Sequence, residues 1–150
     1  MSSRLDRGRL WRVGAIGAAV AIVVNLVILG IGRAAGVPFV VPNFDGTSMT
    51  VGPVIVAFMI AVWFALGLLL ATFVAARQPR RLRAIQIVAV VVAVVSLIQP
   101  LGVDADAASR LLLASMHLVT GAAFVLALRR VRADVEPARG DVSAPATASS

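Results

Sequence analysis

The sequence contains no cysteine, no lysine and one histidine, His117. Without thiols there can be no disulfide, thiolate metal site or redox dithiol. A lone histidine supplies too few ligands for a zinc or iron centre, so neither a metal nor a cofactor is expected. Charge is also scarce, at 14% of residues. The spans defined below contain no carboxylate, which removes the paired acids of general acid–base chemistry, and no nucleophile stands beside a base. The chain is therefore not expected to be an enzyme.

Apolar residues dominate what is present: 60% of the chain is hydrophobic and the mean hydropathy is +0.98. A water-soluble domain of 150 residues has no core large enough to hide that much apolar surface. Four uncharged runs, at about 13–32, 54–76, 84–101 and 111–128, each approach the ~20 residues a helix needs to cross ~30 Å of hydrocarbon. The expected fold is all-α, an integral-membrane four-helix bundle with antiparallel neighbours, flanked by a basic tail at 1–12 and a disordered tail at 131–150. The second tail has the Pro, Ala and Ser composition of a segment that cannot bury enough surface to order itself.

The net charge is +7 and the pI near 11.9. No base-reading or phosphate-binding apparatus accompanies it, so no nucleic-acid partner is expected. The arginines instead set orientation. Twelve of fourteen fall in three groups: Arg4, Arg7, Arg9 and Arg12; Arg77, Arg80, Arg81 and Arg83; Arg129, Arg130, Arg132 and Arg139. By the positive-inside rule these segments are cytoplasmic and both termini lie inside. Arg9, Arg12, Arg77, Arg80, Arg81, Arg83, Arg129, Arg130 and Arg132 are then expected to face an anionic inner leaflet, at about 1 kcal/mol each. A cleaved signal peptide is the other reading of the first run, but its apolar stretch exceeds the usual h-region and Arg33 interrupts the cleavage site.

The outer connection, RAAGVPFVVPNFDGTSM, reads as an extended piece between Pro38 and Pro42 followed by a turn at Asn43 to Gly46, with Phe39 and Phe44 at the outer interface. Pro53 suits the first turn of the second helix. The short RQPRR connection makes the second and third helices a hairpin. Gln99, Pro100 and Gly102 end the third helix, and Asp104 or Asp106 is expected to cap the fourth.

Polar residues inside the runs ride on stripes of small ones: Gly14, Ala18, Ala21 and Asn25; Ala89, Ala93, Ser96 and Pro100; Ala114, His117 and Gly121, extended outward by Arg110. Small residues mark close helix contact in membranes, so these faces are expected to point into the bundle. At ~1.5 Å per residue from the basic ends, Asn25, Ser96 and His117 lie ~16–18 Å deep. They are expected to form a buried polar layer, bonded to one another or to backbone oxygens, with His117 neutral near pH 7, either fixing helix register or lining a small polar cavity. Trp63, at the same depth, is a candidate wall, and Met116 is read as packing. At the outer rim Arg33, Asp104, Asp106 and Arg110 are a candidate ion-pair cluster, with a solvated surface as the plainer reading.

A mid-span Asn25, RAAGVPFVVP, the basic inner loop, SLIQP at the end of the third run and MHLVTGAA in the fourth resemble the small four-helix membrane proteins of high-GC Gram-positive bacteria grouped as domain of unknown function 6069. The resemblance covers about Arg12 to Arg130. It implies a plasma-membrane location and no established activity. Two functional classes follow: a non-enzymatic accessory or structural membrane subunit, in contact with another membrane protein or with itself, and, as the alternative, a small permease or proton-linked carrier using the His/Asn/Ser layer.

Overall fold

The computed structural model describes residues 7–43, 45–77 and 82–133. Helix α1 spans Arg7–Ala34, α2 Pro53–Arg77, α3 Leu82–Val95, α4 Ile98–Gly102 and α5 Ala107–Ala133; strands β1 (Val40–Pro42) and β2 (Ser48–Thr50) lie between α1 and α2. Four segments, Gly8–Ala34, Pro53–Val74, Ala84–Gly102 and Ala107–Val131, are long and apolar enough to cross a membrane. Arg80, Arg81, Phe44 and the tail at 134–150 fall outside the described residues. So do the side chains of Arg77, Arg83 and Arg132.

Glycine ends α1. Gly36 takes φ +82°, its N–H donates to the Arg33 carbonyl at 3.0 Å, and the Val37 N–H donates to that of Gly32 at 2.9 Å. This paired bonding satisfies carbonyls a helix end would otherwise orphan. The chain then turns back as a hairpin whose register pairs Val40 with Thr50 and Pro42 with Ser48. Asp45 closes its tip, accepting from the Thr47 N–H and hydroxyl at 2.9 and 2.6 Å. Those bonds, the hydroxyl first, hold the Asp45 carboxyl below its ordinary pKa.

The third span is not one helix. Pro100 has no N–H to give the Ser96 carbonyl, and its ring crowds that carbonyl. The helix accordingly stops at Val95, tightens through a Leu97 N–H to Val94 carbonyl bond of 3.1 Å, and resumes as α4. Pro100 thus interrupts the helix one turn before itself, and the span still ends at Gly102 as expected. The Asp106 cap does form: its Oδ1 accepts the Ser109 N–H at 2.9 Å.

Helix α1 packs along α5 and α2, and α3 packs along α5, with only a sparse meeting of α2 and α3. The small-residue stripes make these contacts. A Cβ on Gly121 would stand 2.5 Å from that of Ala93, joining α5 to α3; one on Gly17 would stand 3.3 Å from both Ala127 and Phe64; one on Gly14 would strike Leu68. Phe64 and Phe124 fill the space between α2 and α5, edge to face with centroids 5.3 Å apart. The third span is the least enclosed: 6% of its apolar window is buried, against 22–28% in the others. In hydrocarbon such exposure costs little, because lipid tails are as apolar as Leu.

Candidate functional site

Asn25 is fully enclosed, with no solvent exposure, as is Ser109 near the outer end of α5. It sits on the stripe of α1 that also carries Gly14 and Ala21, which is why burial of the small residues takes the amide inward with them. Its Nδ2 donates to Thr120 Oγ1 on α5 at 2.9 Å. Thr120 in turn donates to the Met116 carbonyl one turn back at 2.8 Å. The hydroxyl has one hydrogen, and that hydrogen is already committed, so Thr120 can only accept from Asn25. The amide orientation is thereby fixed, and Asn25 Oδ1 is left buried without a partner among the described residues. An unpaired buried acceptor costs about 1–3 kcal/mol.

Among the described residues no hydrogen bond joins Asn25, Ser96 and His117 to one another; Ser96 and His117 meet backbone oxygens, the other arrangement expected of them. Ser96 donates to the Ala93 carbonyl at 2.8 Å, and His117 Nδ1 lies 2.8 Å from the Leu113 carbonyl. Both side chains are half-buried. A carbonyl can only accept, so Nδ1 carries the hydrogen in that bond. The cross-helix partner of Asn25 is Thr120, one turn from His117. Trp63 is 66% exposed and walls nothing. Met116 is buried in the main core cluster, and its carbonyl anchors Thr120.

A second constellation closes the outer end. Phe39 is fully buried, not at the interface, and it holds φ +50°, a backbone state that costs a non-glycine residue of order 1–3 kcal/mol. Its ring fills the space beside Gly32, where an added Cβ would stand 2.5 Å from the ring and 2.7 Å from Leu112. Its N–H donates to the buried Ser109 Oγ at 3.1 Å, and its carbonyl accepts the Val51 N–H at 2.8 Å. The hairpin is thus stitched to the first turn of α5.

The rim residues do other work than expected. Arg33 Nη2 donates to the Val51 carbonyl at 3.1 Å. Asp106 caps α5, and bonds from the Ser109 side chain and backbone, in that order, hold its carboxyl below its ordinary pKa. Asp104 is exposed and Arg110 half-buried. Among the described residues these four form no ion-pair cluster, because the capped helix end and the hairpin carbonyl have already engaged Asp106 and Arg33. No group of three or more His, Cys, Asp or Glu side chains that could hold a metal occurs among the described residues.

The model of a family of unknown function, DUF6069, matches residues 5–134, and the chain belongs to that family. No curated protein and no solved structure matches it.

Proposed function

We propose that this member of the DUF6069 family is a non-enzymatic plasma-membrane subunit, a helical module that packs beside another membrane protein or a second copy of itself. The observation that carries this reading is how the polar groups within the spans are used. Thr72, Ser96, Ser115, His117 and Thr120 each turn onto a carbonyl of their own span, and Asn25 reaches across to another span. Such a pattern fixes helix register rather than assembling reactive groups. In this reading the arginine-rich ends face the cytoplasm, and their charge meets an anionic inner leaflet.

The alternative reading, a small carrier, draws on one observation: the unpartnered Asn25 Oδ1 is an acceptor placed for a hydrogen-bond donor inside the bundle. Co-purification of the full chain in mild detergent separates the two. An accessory subunit brings a stoichiometric protein partner or runs as a discrete oligomer. A monomer that restores a pH-dependent flux in liposomes, and loses it with Asn25→Leu, would replace the first reading with the second. Orientation is read independently by labelling a cysteine placed at Ser48, which is expected to react with an impermeant reagent from outside the cell.

A further inference from the structure

Helix α5 meets two neighbours on adjoining sides: Phe124 lies against Phe64 and Gly67 of α2, and Gly121 faces Ala93 of α3. Side chains advance about 100° per residue around a helix, so His117 points between these two, about 20° from Phe124 and about 40° from Gly121. Ser96 of the third span looks into the same gap. It stands within about 20° of Ile85 and Ala89 around its helix, and those two pack on the cluster that holds Leu68 and Ala71 of α2. Its level matches as well, since Ser96 is one turn outward of Ala93 and His117 one turn outward of Gly121, and these small residues touch. The gap is open from the side: α2 and α3 meet only sparsely, and Val92, one turn inward of Ser96, is 59% exposed.

The polar atoms that His117 and Ser96 offer there are acceptors. His117 Nδ1 gives its hydrogen to the Leu113 carbonyl, so in the uncharged ring Nε2 carries a lone pair. Nε2 has no hydrogen-bond partner among the described residues and is not sealed in, as Asn25 Oδ1 is. The Ser96 hydroxyl is committed to the Ala93 carbonyl and its N–H to the Val92 carbonyl, while its own carbonyl receives no N–H from Pro100. A ligand for this site must bring a donor and must reach the middle of the span through hydrocarbon. Acyl chains carry no donor, and aliphatic hydroxyls of lipids stay with the headgroups. A phenolic O–H meets both needs, because its ring is apolar and its hydrogen, with a pKa of about 10, is the more strongly donated.

We propose that the α2/α3 groove binds a lipid-soluble phenol or hydroquinone, whose O–H is donated to His117 Nε2 while its tail leaves past Val92. The corresponding quinone has acceptors only and is refused, so the site distinguishes the reduced from the oxidised form of its ligand.

The chain has one histidine, so labelling histidine with heavy nitrogen gives a single imidazole to follow by NMR in nanodiscs of the full chain. A decyl-tailed benzohydroquinone is expected to move the His117 Nε2 resonance. Its quinone and its dimethyl ether, which lack the O–H, should bind at least about tenfold more weakly. Val92→Trp fills the groove from an exposed position and should weaken hydroquinone binding about tenfold. Leu118→Trp, on the side of Gly121 away from Phe124 and 52% exposed, should change it less than about twofold. An unmoved resonance, an equal response to the quinone or to a long-chain alcohol, or an equal loss from Leu118→Trp would overturn the proposal. A protein partner is sought separately by co-purification, so failure of this site leaves the accessory reading intact, and the reverse also holds.

Discussion

Asn25 and Thr120 are joined by a single hydrogen bond whose direction cannot be reversed, since the Thr120 hydroxyl already donates to Met116. Thr120→Val leaves both ends of the Asn25 amide unpaired and is expected to destabilise the bundle by about 1 kcal/mol or more. Asn25→Leu removes the orphaned Oδ1 along with the bond and should cost less. Unfolding of both variants in a mixed-detergent titration measures the difference. A costlier Asn25→Leu would mean that Oδ1 has a partner in the folded membrane protein.

Gly121 and Gly30 make a matched pair for the small-residue stripes. Alanine at 121 drives its Cβ into Ala93, a side chain with no rotamer to yield, whereas nothing lies within 4 Å of a Cβ at 30. Gly121→Ala should cost about 1–3 kcal/mol as α3 is pushed from α5. Gly30→Ala should be neutral or mildly stabilising. Equal thermal stability of the two variants would place the α3/α5 contact elsewhere.

The Phe39 plug carries both a packing gain and a backbone cost. Phe39→Ala is expected to lose about 3 kcal/mol and to free the hairpin for proteolysis. Phe39→Gly loses the same ring but suits φ +50°, so it should be at least as stable as Phe39→Ala, against the usual order. A less stable glycine variant would show that the positive φ costs nothing here.

Asp106 sets a pH limit on the outer seam. Its folded-state pKa is depressed below the ordinary carboxylate value by the bonds from Ser109. The stability it contributes is therefore fully present above that value and lost as pH falls through the lower folded pKa. Amide exchange at Ser109 should be flat from neutral pH into mild acid and rise only below about pH 4 once the intrinsic rate is divided out. Asp106→Asn, which keeps a capping oxygen, should abolish that step and keep most of the protection. A step near pH 6 would assign the effect to another group.

The four spans were readable because hydrocarbon leaves a strong and simple record: long uncharged runs with arginines at their ends. The small-residue stripes were equally plain, since Gly14, Ala21, Ala93 and Gly121 do line helix contacts. The partner of Asn25 was not readable. Depth counted from the basic ends pairs residues as though all helices began at one level, while α1 and α5 are staggered so that Asn25 stands opposite Thr120 rather than His117. That stagger is set by packing between helices and leaves no mark along either one. Phe39 was missed for a related reason. An aromatic in a loop between prolines resembles an interfacial anchor until the space beside Gly32 and the hydroxyl of Ser109 are seen to receive it.

The packing of α1 against α5 also has a consequence for biogenesis. Of the four spans described, the earliest made finds its hydrogen-bonding partner only in the fourth. Until that span is made, the Asn25 amide has no Thr120 hydroxyl to meet within the hydrocarbon.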